Sequence, residues 1–275
     1  MKNNIMNSIE NYLFAGIAFF FLACQSSNSE ASRGTKIVPE GPSVKSKEVK
    51  VPDHQAWDEL LKKHVDAKGM VDYEGFVSDQ SKLNFYLQTL SDHPPNKETW
   101  SKEEQLVYWI NAYNGFTVKL IVDNYPTKSI KDLGPVLKIP MISDVWHYKF
   151  FEIGGEEFNL DEIEHGILRK EFDEPRIHFA VNCASISCPP LLNEAFMVSK
   201  LEEQLNKQAI AFINDGVRNK ITKNSIQISS IFSWFKGDFT NEGSLIDYLN
   251  QYSRVKIDKN AKISYLDYDW NLNKK

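Results

Sequence analysis

Apolar residues recur every three or four positions through the part of the chain that follows residue 50, which is the spacing of amphipathic helices. One stripe runs from Ala56 to Val65, and a second runs from Leu83 to Leu90. A third segment, at residues 102–124, is apolar around most of its circumference and ends before Pro126. We therefore expect this segment to be a central helix of the fold.

The pattern changes after residue 144. Residues 145–153 and 157–159 flank Gly154 and Gly155, a two-residue signal that predicts a hairpin. Helical spacing returns at residues 160–170 and at residues 200–213. This half of the chain therefore combines strands with helices.

Residues 176–182 alternate between apolar and polar side chains, which predicts a strand with His178 and Asn182 on one face. Further short strands are predicted around Ile221 and at residues 226–228. Helices come first, and strands and helices then follow without regular crossovers. This order indicates an α+β fold, a single domain in which several helices pack on a small mixed or antiparallel sheet.

The N-terminus has the profile of a secretory signal peptide, predicted at residues 1–23. Lys2 precedes an apolar run at residues 12–23, and Cys24 follows at once. The run is shorter than the roughly 20 residues that a membrane-spanning helix needs. The tetrapeptide FLAC at residues 21–24 resembles the bacterial lipobox, so we expect an exported lipoprotein of the cell envelope, anchored to a membrane through a lipid on Cys24. Cleavage by the ordinary signal peptidase, with Cys24 incidental, is the alternative and also exports the chain.

The composition divides the rest of the chain into a tether and a domain. Residues 24–50 are rich in Ser, Lys, Pro and Glu and contain almost no large apolar side chain, so we expect a disordered tether. Residues 51–275 have enough apolar and aromatic residues for one domain. The net charge of −5 comes without a basic stripe, which argues against nucleic acid as a partner.

Cys183 and Cys188 are the candidate chemical groups of the domain. In an oxidising compartment a disulfide closing a small loop is the simplest interpretation, and an inert reduced pair is another. The third interpretation is a functional thiol, which needs a low pKa. Cys188 directly precedes Pro189 and Pro190, a placement that suits either a nucleophile or a simple turn.

His165 and His178 are the histidines considered as general bases. All six histidines precede both cysteines, which excludes the usual order of a papain-like hydrolase and leaves only a rearranged one. His165 follows Asp161 by one helical turn, and such a carboxylate can orient an imidazole. A surface ion pair is the alternative for these two residues.

Three asparagines are the candidate substrate-binding residues. Asn111 and Asn114 lie one turn apart on the most apolar helix, where unpaired amides are costly, so they are expected to join a buried polar network or to line a pocket with Asn182. Four residues separate Cys183 from Cys188, rather than the two usual in zinc sites. We therefore predict neither a metal nor a cofactor.

Four blocks together resemble the family known as domain of unknown function 547, from about residue 102 to the C-terminus. They are YWINAYN at 108–114, LDEIEHGILR at 160–169, PRIHFAVNCASISCP at 175–189 and YDWNLN at 268–273. The resemblance brings no activity with it and implies only where a site should be sought.

Two classes of function remain open. One is an envelope hydrolase or transferase with Cys183 or Cys188 as nucleophile and His165 or His178 as base. The other is a non-catalytic binding or scaffold lipoprotein, stabilised by a Cys183–Cys188 disulfide, for which an aromatic surface around residues 232–235 would be suited. In either case we expect the segments that carry these residues to converge on one concave site, whose protein or small-molecule partner the sequence does not identify.

Overall fold

Four α-helices begin the part of the chain that the computed structural model describes, which is residues 50–135 and 144–275. They are α1 (Gln55–His64), α2 (Tyr73–Ser78), α3 (Gln80–Asp92) and α4 (Lys102–Asp123). Apolar faces of α1, α2 and α3 pack with α4 in one core. The three predicted helical stripes are therefore confirmed.

Helix α4 begins at a capping box. The Ser101 hydroxyl accepts a hydrogen bond from the Glu104 amide, and the Glu104 carboxylate accepts one from the Ser101 amide. The helix is buried from Gln105 through Val118 on all faces. This explains why its sequence is apolar around the circumference rather than along one stripe.

Two short strands and a wide helical turn follow. Strands β1 (Phe151–Ile153) and β2 (Glu156–Phe158) form the predicted hairpin, in which Gly154 and Gly155 both have positive φ. The predicted helix at residues 160–170 is present, but Glu162–Leu168 are wound as a π-helix before α5 (Arg169–Glu171). Such widened turns are often found at functional sites.

The strand predicted at residues 176–182 is wrong. The chain forms α6 (Ile177–Ala180) instead and becomes extended only at Val181. Ile177 and Ala180, three residues apart, lie in one core, whereas Phe179 lies in a second core. A short helix that is buried on both sides has no polar face, and its pattern is easily mistaken for strand alternation.

The C-terminal part adds a small mixed sheet. In chain order it contains α7 (Leu201–Ile213), β3 (Lys220–Ile221), β4 (Ser225–Ser229), α8 (Ile231–Trp234), α9 (Lys236–Phe239), α10 (Leu245–Tyr252) and β5 (Lys262–Leu266). The strand order is β3-β4-β5, with β3 antiparallel and β5 parallel to β4. The fold is therefore α+β, as predicted.

The last residues of the chain return to the first core. Leu272 bridges to Ser185, and Lys274 bridges to Val71. The Trp270 carbonyl accepts a hydrogen bond from the Ser129 hydroxyl at 2.7 Å. This tail brings Tyr268 and Trp270 next to the cysteine loop.

Three predictions concern residues 1–50: the signal peptide, the lipidation of Cys24 and the tether. Residues 1–49 lie outside the described residues, which begin at residue 50. Within the described part of the chain, none of the helices has the length and apolar character needed to cross a bilayer.

Candidate functional site

Both cysteines of the domain are free thiols in a loop that follows α6. Cys188 is buried and Cys183 is partly buried. The Sγ atom of Cys183 lies 2.7 Å from Cys188 Sγ, 3.3 Å from Ser185 Oγ and 3.3 Å from Tyr268 Oη. The two thiols are thus in contact, and the Cys183 sulfur also contacts the Tyr268 phenol and the Ser185 hydroxyl.

The surroundings of the two thiols shift their pKa values in opposite directions. Burial raises the pKa of Cys183, but hydrogen bonds from Cys188, Ser185 and Tyr268 outweigh burial and bring the pKa below its ordinary value. Burial and the neighbouring Cys183 raise the pKa of Cys188 well above its ordinary value. Burial likewise raises the pKa of Tyr268, which therefore stays a donor. Cys183 is therefore the more acidic thiol of the pair, and Cys188 and Tyr268 are the weaker acids beside it.

The loop is held in a strained conformation directly after Cys183. Ala184 has a φ of +56°, in the left-handed region that non-glycine residues rarely adopt. Its amide donates to Asn182 Oδ1 at 2.9 Å, and the Asn182 side chain also donates to the Pro189 carbonyl at 2.7 Å. One asparagine side chain therefore ties both ends of the cysteine loop together.

A buried amide network fixes this loop to the rest of the protein. Asn114 on α4 donates to the Ala180 carbonyl and accepts from the Asn182 amide, at 2.9 and 2.8 Å. Asn111 forms the same pair of bonds with the backbone of Phe196, at 2.9 and 3.1 Å. The three asparagines are buried and do not line the cavity at the cysteines. The structure thus corrects their predicted substrate-binding role, because their amides are occupied by main chain that they brace.

The two candidate histidines are joined through an arginine and an aspartate. His165 Nδ1 accepts a hydrogen bond from Arg169 at 2.7 Å, and Arg169 donates two further bonds to Asp238 at 2.6 and 2.8 Å. His178 Nε2 bonds to the same Asp238 at 2.7 Å. Burial raises the pKa of Asp238, but hydrogen bonds from Arg169 and His178 outweigh it and hold the pKa well below its usual range. His178 is stacked on Phe235.

A general base for a thiol must lie within hydrogen-bond reach of it, but among the described residues neither His165 nor His178 is hydrogen-bonded to a cysteine sulfur. The sulfur partners among the described residues are the other cysteine, Ser185, Tyr268 and the Cys183 amide. His165 and His178 face Arg169 and Asp238 instead. The two histidines are therefore not in hydrogen-bond reach of the thiols as a general base would need to be, and the Cys183 sulfur contacts hydroxyl and thiol groups instead.

His165 and His178 nevertheless line the same cavity as both cysteines, and the cavity has a volume of about 600 Å³. Its aromatic and aliphatic lining consists of Tyr113, Trp146, Val181, Pro189, Ile231, Trp234, Phe235, Tyr268 and Trp270. Its polar lining consists of Asp144, His147, Asp161, Glu164, His165, Arg169, His178, Cys183 and Cys188. The expected concave site is therefore present, with α4 contributing Tyr113 rather than Asn111.

Several residues that line this cavity or contact its lining were missed by sequence reasoning. Tyr268 and Trp270 belong to one of the resemblance blocks but could not be placed beside Cys183 from spacing alone. Asp238 has no motif around it. In the predicted aromatic surface only Trp234 is half-exposed, at 50%, while Phe232 is fully buried in the second core. Within the described part of the chain, no cluster of histidine, cysteine or acidic residues is arranged to hold a metal ion.

Fold and cavity together define an α+β protein with a paired-thiol site. A family model described as "Protein of unknown function, DUF547" matches residues 97–213, and the chain resembles that family over this segment. The segment includes α4, the π-helix and both cysteines, whereas Asp238 and Tyr268 lie beyond it. The comparisons with curated proteins and with solved structures gave no match.

Proposed function

We propose that this protein is a thiol-dependent hydrolase or transferase of the cell envelope, with Cys183 as its nucleophile. The observation that supports this most is the hydrogen-bonded Cys183 thiol on the wall of a large aromatic cavity. A thiol with a lowered pKa is a better nucleophile at neutral pH because more of it is thiolate. The export signal and Cys24 support the envelope location and a lipid anchor.

Acyl transfer is the reaction that suits this thiol. The Cys183 thiolate attacks an acyl carbonyl carbon, a C–S bond forms, and the bond to the leaving group breaks as that group takes up a proton. Water or another nucleophile then attacks the thioester, the C–S bond breaks and the thiolate is restored. Cys188 and Tyr268 would donate to the sulfur each time its charge returns, and His165 and Glu164 line the same cavity as carriers of protons.

The test is acylation of the purified protein by an activated ester such as 4-nitrophenyl acetate, followed by peptide mass spectrometry. We expect a burst of nitrophenol and an acetyl group on Cys183, both lost in Cys183→Ser. Exposed Ser81 lies outside the cavity, so Ser81→Ala is the matched control and should keep the burst. Acetylation spread over lysines, without a burst that depends on Cys183, would contradict the proposal.

A second candidate function is ligand binding without catalysis. It is favoured by Trp234, which is half-exposed and lines the cavity mouth together with Tyr268 and Trp270. An aromatic surface of this kind binds ligands without any need for a nucleophile. Absence of a Cys183 adduct, combined with saturable binding of a ligand, would favour this function over the first.

A further inference from the structure

The two free thiols are in contact with each other but differ in exposure. Cys183 Sγ and Cys188 Sγ are 2.7 Å apart. Cys183 is partly exposed on the cavity wall, whereas Cys188 is only 4% exposed. A molecule that enters the cavity therefore reaches Cys183 more readily, and Cys188 lies directly beside the sulfur that reacts.

The loop between the cysteines is braced so that the two sulfurs stay in contact. The Asn182 side chain is hydrogen-bonded to the Ala184 amide, next to Cys183, and to the Pro189 carbonyl, next to Cys188. Because one side chain ties both ends of the loop, a bond between the sulfurs can form without opening it. Acyl transfer needs only one nucleophilic sulfur and does not explain this second thiol.

The acidity of Cys188 depends on the state of Cys183. The Cys183 backbone amide donates to Cys188 Sγ at 2.8 Å, and such a donor favours the thiolate form. Burial acts in the opposite direction, as do the hydrogen bond to the Cys183 sulfur and the charge that this sulfur carries as a thiolate. Together they raise the pKa of Cys188 well above its ordinary value.

The effects of the Cys183 sulfur end when that sulfur forms a covalent bond, because it then carries no negative charge. The amide donor remains in place. The pKa of Cys188 should therefore fall only after Cys183 has reacted, which is when a second nucleophile beside it becomes useful.

We propose that Cys183 and Cys188 form a dithiol pair that reduces an organic disulfide bound in the cavity, an activity distinct from acyl transfer. Cys183 attacks the disulfide, and Cys188 then resolves the mixed disulfide. The contact between the two sulfurs, the difference in their exposure and the amide donor of Cys188 support this assignment.

The lining of the cavity favours an uncharged disulfide with apolar groups beside it. Charged groups of the lining are paired within the protein, since Asp144 is bonded to His147 at 2.7 Å and Arg169 is bonded to Asp238. Most of the remaining wall is aromatic, and sulfur makes favourable contacts with aromatic rings. The cystine of a peptide with apolar side chains fits this description.

In the first step the Cys183 thiolate attacks one sulfur of the substrate. A mixed disulfide forms, the substrate S–S bond breaks, and one substrate thiolate leaves. In the second step Cys188 gives its proton to that thiolate and attacks Cys183 Sγ, so that the Cys183–Cys188 bond forms and the second thiolate leaves. The substrate gains the two electrons that the cysteines lose. An external dithiol such as dithiothreitol reverses the exchange and restores the pair.

The two steps are followed at pH 6 on the purified full-length protein, reduced and then freed of reductant, with 4,4′-dithiodipyridine as the probe. The tryptic peptide of residues 177–200 contains both cysteines and excludes Cys24, so its mass reports each step. We expect a pyridylthio adduct that is replaced by a peptide lighter by two hydrogen atoms. Each phase should be about tenfold faster than in the free synthetic peptide of the same residues.

Variants separate the roles of the two thiols. Cys188→Ala should keep the adduct on Cys183, and so should Cys188→Ser, which retains a hydrogen-bond donor. Cys183→Ala should react about tenfold more slowly, because Cys188 is buried. Glu203→Gln removes an exposed charge from α7 outside the cavity and should behave like the wild-type protein.

Turnover is tested by the reduction of bis(2-hydroxyethyl) disulfide with dithiothreitol, which the wild-type protein should accelerate and Cys188→Ala should not. A second phase no faster than in the free peptide, or acceleration that survives Cys188→Ala, would overturn this inference. Acetylation of Cys183 by 4-nitrophenyl acetate would then still support the proposed function. A Cys183–Cys188 disulfide that dithiothreitol does not reduce in the folded protein would overturn both.

Discussion

Ala184 is a single residue on which the position of the Cys183 thiol depends. Its positive φ turns the chain directly after Cys183, at a cost of roughly 1–2 kcal/mol for a residue that has a Cβ. The Asn182 side chain offsets this cost by accepting the Ala184 amide hydrogen bond. Strain of this kind is retained where the surrounding structure fixes it, and here it lies beside the Cys183 sulfur.

Ala184→Gly is therefore expected to be nearly neutral for the free energy of unfolding. The substitution relieves the strain, which stabilises the folded protein. This gain offsets two losses of about 1 kcal/mol each, the burial of the methyl group and the smaller entropy of the unfolded chain with alanine. Ala112→Gly, at an equally buried position in α4, is the control and should cost about 1–2 kcal/mol, since no strain is relieved there. Urea unfolding measures both. A cost at Ala184 equal to that at Ala112 would show that the loop is not strained.

At the scale of elements, α4 is the helix that carries the braces of the cysteine loop. We expect Asn111→Leu and Asn114→Leu each to lower the free energy of unfolding by about 1–3 kcal/mol, because buried main-chain groups lose their partners. Glu103→Leu, on the exposed first turn of the same helix, is the control and should change it by less than about 1 kcal/mol. Thermal or urea unfolding gives the values. Wild-type stability in either asparagine variant would contradict the bracing role.

The start of α1 provides a pH-dependent element. Burial lowers the pKa of His54 from 6.5 to about 4, with a small opposing effect of Asp53, and Nδ1 is hydrogen-bonded to the Tyr86 hydroxyl at 2.8 Å. The unfolded chain therefore binds a proton that the folded protein does not bind between these pH values. The contribution of neutral His54 to the free energy of unfolding is therefore present in full above pH 6.5. It is lost as the pH falls to 4, and the total loss is about 3 kcal/mol.

His54→Phe should reduce this loss. We expect the difference in unfolding free energy between pH 7 and pH 4.5 to be smaller by about 2–3 kcal/mol in the variant than in the wild-type protein, as measured by urea unfolding. Other acidic groups that titrate in this range contribute equally to both proteins. Identical pH dependence of the two proteins would show that folding does not lower the pKa of His54.

At the scale of the whole molecule, the export prediction concerns residues outside the described part of the chain. In a bacterial host we expect the mature protein to fractionate with membranes and to carry a lipid on Cys24. Cys24→Ser should leave it soluble or unprocessed. Retention of an unprocessed Cys24→Ser chain in the membrane would indicate a transmembrane anchor instead.

The sequence predicts the parts of this fold whose determinants are local. The apolar circumference of α4 and the proline that follows it identify that helix without tertiary information, and two adjacent glycines identify the hairpin. Residues 177–180 were not predictable in this way, because their pattern reflects two separate cores on either side of a short helix.

For the candidate site, too, the features with local determinants were predictable and those that depend on distant residues were not. That the site is concave could be expected, because polar residues are concentrated in segments that otherwise form the core. The residues that these polar groups contact could not be predicted. Asp238 is 60 residues from His178, and Tyr268 is 85 residues from Cys183 along the chain. Only the folded chain brings such groups together, and they determine that the Cys183 sulfur is hydrogen-bonded to Tyr268 and Cys188 rather than to a histidine.

The measurement that tests this account most directly is the pH dependence of Cys183 alkylation by iodoacetamide, followed by mass spectrometry without added reductant. We predict labelling of Cys183 with a midpoint below the value of about 8.5 that is usual for a free cysteine. The midpoint should rise in Tyr268→Phe and stay unchanged in His165→Ala, while Cys188 should react slowly. A Cys183 midpoint at or above the usual value, or a Cys183–Cys188 disulfide that prevents labelling until reductant is added, would contradict the account.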